Sequence, residues 1–376
     1  MLVWVFFSSV AIFLSIYISY LAYVRHYSRK PWNVERDNEF QPSVSILVPA
    51  HNEEATIERK MANLVEVSYP KSKIEIVVID DASEDSTLAK IKNFILHNPG
   101  SNIKVVEQRP QAGKSAGLNL ALKMATNSII IVTDSDTFWS PDVLEKAMPF
   151  LADPRIGAVS GMGINENAGQ SWSTRSEETY LNLTNMLRVG ESKRHSTIRF
   201  EGGFCAFRKD SFKEFDCETG ADDSGTALDV VQHNKRAILV PEVLFTTYFP
   251  TSVTDRVRIK TRRATQLISL WVKCLRLLFK KQLALPKSIV IPELLLFIVN
   301  PAIFAVSLAA TLGLFIAFPF SWMSLFVLSV VAGLLIFARK LFLEVLVDNM
   351  ILLYGLVNFL LGRRYVAWQT PTIETQ

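Results

Sequence analysis

Two aspartates one residue apart, Asp134 and Asp136, follow the apolar run Ile129–Val132. Carboxylates at this spacing can hold Mg2+ or Mn2+, hard cations that take oxygen ligands and leave positions for diphosphate oxygens. An ion held there would offset the charge that builds on a diphosphate leaving group. An isolated Asp-x-Asp is common on loops, so this pair gains weight only from its neighbours. Upstream, Gln111-Ala112-Gly113-Lys114-Ser115 opens a helical pattern. There Gly lets the backbone approach an anion, and Lys114 supplies a point charge for phosphate. Downstream stand Glu201-Gly202-Gly203-Phe204 and the acidic pair Asp222-Asp223. A glycine pair lets a substrate lie against backbone, and a carboxylate can deprotonate an acceptor hydroxyl.

Three further motifs are weaker alone. Pro49-Ala50-His51-Asn52-Glu53-Glu54 runs from an apolar segment into a helical pattern, where free N–H groups would face an anion or simply be capped. Asp80-Asp81 begins a polar turn whose carboxylates can bind a base or a sugar, with Ser83 a candidate cap for the next helix. Arg262-Arg263 can clamp a diphosphate or touch lipid headgroups. The Gly113-Lys114 pair also imitates a P-loop. That motif needs glycine five positions earlier, and position 108 is Gln.

The elements that must position these residues read as α/β. Apolar runs recur at Val44–Val48, Ile74–Ile79, Ile103–Val106, Ile129–Val132 and Ala158–Ser160, with helical patterns at Glu53–Val67 and Ser115–Thr126. Fully apolar strands alternating with helices predict a mostly parallel sheet covered on both faces. Ligands then bind beyond the carboxyl ends of the strands, where the polar motifs lie.

Around this domain the chain is apolar. Leu2 to Val24 carries no charge, and 23 helical residues reach roughly 34 Å, enough for a ~30 Å hydrocarbon core. Arg25, His26, Arg29 and Lys30 follow the run, which predicts an anchor with the next segment in the cytosol rather than a signal peptide. Arg256 to Lys287 holds ten Lys or Arg and no acid, leaving 30 basic residues against 36 acidic ones elsewhere, so no nucleic-acid partner is expected. In that strip Ile268, Trp271, Val272, Leu275, Leu278 and Phe279 recur at helical spacing opposite Lys273, Arg276 and Lys280. That pattern predicts a helix in the membrane interface, the alternative being an ordinary surface helix. Pro292 to Phe318 and Trp322 to Ala338 each suffice for a span. Leu341–Leu361 holds Glu344, Asp348 and Asn349, and reads as a third crossing with its polar residues facing protein or as a surface helix. A cytosolic C-terminus is expected, because a third crossing would carry Arg363 and Arg364 outside. Cys205, Cys217 and Cys274 form no paired spacing, which excludes a disulfide framework and a zinc knuckle.

The expected organisation is an anchor at 1–24, an α/β domain at 41–254, basic interface helices at 255–287, membrane helices at 288–362 and a tail at 363–376. The ordered motifs Val48–Glu54, Val78–Thr87, Gly113–Asn119, Val132–Thr137, Glu201–Arg208, Asp222–Leu228 and Arg262–Arg263 closely resemble those of the family 2 glycosyltransferases. These are membrane enzymes with a nucleotide-sugar-binding GT-A domain, and the likeness covers about Ser43 to Arg263. The resemblance implies that Pro49, Ala50, Glu53 and Asp81 hold the nucleoside, that Lys114 faces the diphosphate and Asp134 the nucleotide, and that Asp136 coordinates the metal. It makes Asp223 the general base, with Asp222 standing where the family has Glu. Arg262 and Arg263 would bind phosphate, and Glu201, Gly202 and Gly203 would border the sugars. Family members that elongate long polymers end this region in Gln-x-x-Arg-Trp, whereas here it reads Lys260-Thr261-Arg262-Arg263-Ala264, without the Trp.

The reading that follows is an inverting, membrane-bound glycosyltransferase, with its catalytic domain in the cytoplasm. It would move sugar from a nucleotide-sugar, a UDP-sugar by preference, to a lipid-linked or glycan acceptor, using Mg2+ or Mn2+ among membrane lipids. A processive polysaccharide synthase is the alternative, with a membrane ATPase or a non-catalytic scaffold more distant.

Overall fold

The computed structural model describes residues 2–363, so the expected tail lies outside the described residues except for Arg363. The chain divides into two compact units. Among the described residues, one holds 24–255 and 283–285, and the other holds 2–23, 256–282 and 286–363.

The first unit is α/β. Its strands are β1 (Val44–Ala50), β2 (Ile74–Asp80), β3 (Ile103–Glu107), β4 (Ile129–Val132), β5 (Thr137–Trp139), β6 (Ile156–Asn165), β7 (Cys205–Arg208) and β8 (Arg236–Thr247). Its helices are α2 (Ile57–Val65), α3 (Thr87–His97), α4 (Lys114–Met124), α5 (Val143–Ala147), α6 (Trp172–Arg194) and α7 (Asp222–Gln232). One sheet runs β3-β2-β1-β4-β7-β6-β8-β5. The β3-β2-β1-β4 half is wholly parallel, as is β6 with β8, while β7 and β5 pair antiparallel. The mostly parallel sheet expected from the apolar runs is present. Every residue of β1, β2 and β4 is buried, which is why those strands are rich in Val and Ile, with Ser45 and Glu75 the buried polar exceptions inside β1 and β2.

Two expected helices have different starts. Glu53–Val67 yields a helix only from Ile57, because residues 52–54 bond to the turn after β2 instead. Asn52 N donates to Ser83 Oγ (3.0 Å), Glu53 N to Thr87 Oγ1 (2.7 Å) and Glu54 N to Asp85 Oδ2 (3.2 Å). Those amides are therefore not open to an anion, and Ser83 ties two loops together rather than capping α3. The second helix, α4, begins one residue early, at Lys114.

The second unit is helical: α1 (Leu2–Ser28, in part), α8 (Val253–Phe279), α9 (Lys287–Leu294), α10 (Asn300–Ala317), α11 (Trp322–Phe337) and α12 (Arg339–Leu360). Among the described residues three helical stretches are long and apolar enough to cross a membrane: Leu2–Ser28, Lys287–Ala317 and Phe342–Leu360. The expectation that Trp322–Ala338 suffices is corrected, since α11 has 16 residues. That length rises about 24 Å, short of a ~30 Å core. On α12 the acids face protein. Glu344 pairs with Arg256, and Lys260 lies 3.2 Å from Glu344 and 2.9 Å from Asp348. The apolar side of α8 also differs from expectation. Ile268 and Trp271 are enclosed, with Trp271 stacked on Phe297 at 6.2 Å, so the first part of the stripe packs on protein, while Val272, Leu275 and Leu278 are half-buried and Phe279 is exposed.

Candidate active site

The polar motifs converge at the carboxyl ends of β1, β2 and β4. Pro49 and Ala50 end β1, buried, in register with Ile79 and Asp80 of β2. Asp81 follows β2, and its carboxylate serves the loop before α4. Oδ1 accepts from Gln108 Nε2 (2.6 Å) and Ala112 N (2.9 Å), and Oδ2 from Gly113 N (2.9 Å). Asp81, which the resemblance assigns to the nucleoside, also holds the loop that presents Lys114. Gln108 accordingly fills the place where a P-loop needs glycine. Gly113 has φ +90, a conformation that side-chain-bearing residues rarely adopt, and it lets the chain turn into α4.

Lys114 is the first residue of α4, and its ammonium sits among three carboxylates. Nζ lies 2.9 Å from Asp134 Oδ1, 2.9 Å from Asp222 Oδ2 and 3.4 Å from Asp223 Oδ2. Burial alone would lower its pKa, but Asp134, Asp222 and Asp223 outweigh that and hold it well above the usual lysine range. The acidic pair opens α7, whose N-terminal dipole end favours negative charge. Burial, then the neighbouring Asp222 charge, raises the Asp223 carboxyl, with Lys114 opposing. Asp223 Oδ1 is enclosed and accepts no hydrogen bond. That atom suits a proton acceptor that meets its partner only when substrate arrives.

Asp134 and Asp136 flank Ser135 on the loop between β4 and β5. The Asp134 amide donates to Gly202 O at 2.9 Å, and a Cβ on Gly202 would stand 2.4 Å from Asp134 Oδ2. The glycine pair therefore makes room for the carboxylate. Gly203 is tighter, because its Cβ would strike the Phe245 ring at 2.1 Å. Glu53 accepts from Thr56 Oγ1 at 2.7 Å, and its carboxyl is pushed up to about 7, first by burial and then by Asp136, with Asp134 adding. Three acids thus crowd the loop, and their mutual repulsion marks a place where a cation would be welcome. Among the described residues no three His, Cys, Asp or Glu form a complete metal cage. Two carboxylates that leave room for diphosphate oxygens fit Mg2+ or Mn2+, which seldom use an all-protein cage.

Glu201 lies beside the glycines. Its Oε1 meets Arg188 Nη2 at 2.9 Å, and a Cβ on Gly163 would be 3.2 Å from its Oε2. Arg188, on α6 and almost wholly enclosed, was not singled out in the sequence. Neither was Lys60, although it occupies the apolar stripe Ile57-Lys60-Met61-Leu64 of α2, and a lysine there is the signal that could have found it. Arg262 and Arg263 belong to α8 in the other unit, half-buried and exposed respectively, and their part in diphosphate binding rests on the sequence resemblance.

Comparison with known proteins agrees with this architecture. The model of glycosyl transferase family 2 matches residues 45–216. A beta-monoglucosyldiacylglycerol synthase of Trichormus variabilis is 34% identical over 144 residues, covering 38% of this chain and 30% of that protein. A poly-beta-1,6-N-acetyl-D-glucosamine synthase of Staphylococcus epidermidis is 25% identical over 209 residues, covering 54% of this chain and 50% of that protein. These matches span from about a third to half of the relatives' lengths. The solved structure of the mannosyltransferase PcManGT from Pyrobaculum calidifontis, in complex with GDP-Man and Mn2+, superposes with a TM-score of 0.84 at 28% identity. It covers 97% of this chain and 100% of that one.

Proposed function

Since residues 45–216 form a family 2 glycosyltransferase domain of the GT-A fold, we propose that the chain transfers a sugar from a nucleoside-diphosphate donor to a lipid-linked or membrane-proximal glycan acceptor, inverting the anomeric carbon. The position of Lys114 carries this reading. One buried ammonium touches both the Asp134 loop and the acidic pair of α7, so a diphosphate bound to it would lie between a cation site and a base.

A diphosphate drawn to Lys114 shares the positive charge that Asp222 and Asp223 now hold. Asp223 Oδ1 then accepts the proton of an acceptor hydroxyl as the acceptor oxygen bonds to the anomeric carbon. The bond from that carbon to the diphosphate breaks, and its electron pair leaves with the nucleoside diphosphate. Where the acceptor is already a phosphate, no proton moves and Asp223 orients it. Asp134 and Asp136 would hold Mg2+ or Mn2+, and the bound ion would supply charge that stabilises the leaving diphosphate. Gly202 keeps Asp134 in place, while Arg188 holds one oxygen of Glu201.

The whole-chain likeness to a GDP-Man complex makes GDP-mannose the first donor to try, beside the UDP-sugars. The three apolar helical stretches support a multi-pass membrane protein acting at the cytoplasmic face on a membrane-borne acceptor. The full chain in membranes, given radiolabelled nucleotide-sugars and a lipid extract, tests the acceptor. Label passing into the organic phase with one donor supports the reading. Transfer only to water-soluble glycans would overturn the lipid acceptor.

A further inference from the structure

Lys60 is fully enclosed, yet it has no carboxylate within ion-pair distance among the described contacts. Its three ammonium protons are accounted for. One goes to Thr133 Oγ1 at 2.6 Å, one to the Thr137 carbonyl at 2.6 Å, and the remaining side faces the Trp139 ring, whose centroid is 5.1 Å away. Thr133 and Thr137 are the residues immediately before Asp134 and after Asp136. The bonding continues from there, since Thr133 Oγ1 donates to Gly203 O (2.8 Å) and Thr137 Oγ1 to Asp134 O (3.0 Å). Trp139 Nε1 also donates to Gly203 O, at 2.7 Å. One cation thus joins α2, both ends of the Asp134-Ser135-Asp136 loop and the glycine pair beneath Asp134.

A buried ammonium is costly, because an unpaired charge in a protein interior loses its hydration, and burial pulls the Lys60 pKa down to about 7 against the opposing pull of Asp134 and Asp136. An apolar side chain at position 60 would complete the stripe formed by Ile57, Met61 and Leu64 without that cost. The charge therefore calls for an explanation beyond core packing. The bonds to Thr133 and Thr137 supply one, because they tie together the two ends of the turn that carries Asp134 and Asp136.

We propose that Lys60 is a positioning residue for the cation site. Its amino group staples the two ends of the Asp134–Asp136 loop from behind, so that the carboxylates meet a divalent ion already aligned. This rests on the proposed reading of Asp134 and Asp136 as cation ligands.

The test compares Mn2+ binding to the full chain with saturating nucleoside diphosphate, by calorimetry or by the loss of free Mn2+ resonance. The proteins are wild type, Lys60→Met, Thr133→Val and Asp136→Ala. Lys60→Met keeps the length and apolar bulk of the stem, while Thr133→Val removes only the hydroxyl that Lys60 contacts. Supporting groups behind metal ligands commonly change affinity by about 10- to 100-fold, so a loss of at least tenfold is expected in Lys60→Met and a smaller one in Thr133→Val. Affinity for the nucleotide without metal should stay within twofold, a split that a general loss of folding would not produce. Amide exchange across residues 133–137 in metal-free protein should quicken in both variants. Unchanged Mn2+ affinity and unchanged exchange in Lys60→Met, with Asp136→Ala impaired, would overturn the role of Lys60 alone. Unchanged affinity in Asp136→Ala would instead overturn the cation reading beneath it. If Lys60→Met fails to fold, Thr133→Val decides, and an intact Mn2+ affinity there counts against the proposal.

Discussion

Gly202 and Asp134 meet twice: the Asp134 amide donates to the Gly202 carbonyl at 2.9 Å, and Asp134 Oδ2 occupies the space where a Gly202 side chain would begin. Gly202→Ala therefore pushes the carboxylate from its place against Lys114 while leaving the sheet intact. Displacements of about 1 Å at a reacting centre can cost roughly 100-fold in rate. We expect Gly202→Ala to lower kcat by about 10- to 100-fold, with a melting temperature close to wild type, as steady-state assays and thermal unfolding would show.

Asp223 and Asp222 share one ammonium but differ in their free atoms, since Asp223 alone leaves an enclosed oxygen with its lone pairs to spare by ion pairing and hydrogen bonding alike. General-base catalysis contributes about 10^2- to 10^4-fold. Asp223→Asn should lose that much in single-turnover rate with donor affinity little changed. Asp222→Asn should lose less, and Lys114→Met should chiefly raise the KM for donor. Equal losses from both Asn variants would remove the distinction between them.

Glu75 shows how the sheet beneath the site is held. Its buried carboxylate accepts from Ser45 Oγ, Lys104 Nζ (2.7 Å), Thr126 N (2.9 Å) and Thr126 Oγ1 (3.1 Å). Burial would raise its pKa, but these donors together hold it at about 2. Because the folded value lies below the unfolded one, the stabilisation is present above the unfolded pKa of about 4.3 and lost as pH falls toward 2. Glu75→Gln turns an amide toward some of these donors and should cost about 1–3 kcal/mol in denaturant unfolding at pH 7, with a flatter acid limb.

His195 caps the end of α6, and burial, then the Arg236 and Arg194 charges, lowers its pKa to about 4. The unfolded chain binds a proton near pH 6.5 and the folded one only near 4, so stability present above 6.5 is lost as pH falls between those values. His195→Gln should remove that part of the pH dependence, read as denaturation midpoints from pH 7 to 4.5.

The strands were legible where burial is complete. Ile129–Val132 matches β4 residue for residue, and the runs beginning at Val44 and Ile74 fall short of their strands by two residues and one. Strands enclosed on both faces leave a continuous apolar signature. The bonds between residues 52–54 and 83–87 leave none, because they join side chains and backbone about thirty positions apart, and the helix start after β1 was misread accordingly. Within the site, Lys114, Asp134, Asp222 and Asp223 were each visible as types suited to phosphate, metal and proton chemistry. That one ammonium touches three of the carboxylates depends on a fold that brings positions 109 residues apart into contact. Lys60 was passed over because its spacing is that of a core residue, and only the enclosure of its charge reveals what it holds.

The central claim is that sugar leaves a nucleoside diphosphate at the Lys114 site. Release of nucleoside diphosphate by the full chain, with Mg2+ or Mn2+, GDP-mannose and a panel of UDP-sugars, and membrane lipid extract as acceptor, tests it most directly. The account predicts turnover with one donor, dependent on metal and abolished by Asp136→Ala and Asp223→Asn. Turnover that survives both substitutions, or no release from any donor by folded protein supplied with lipid and glycan acceptors, would contradict it.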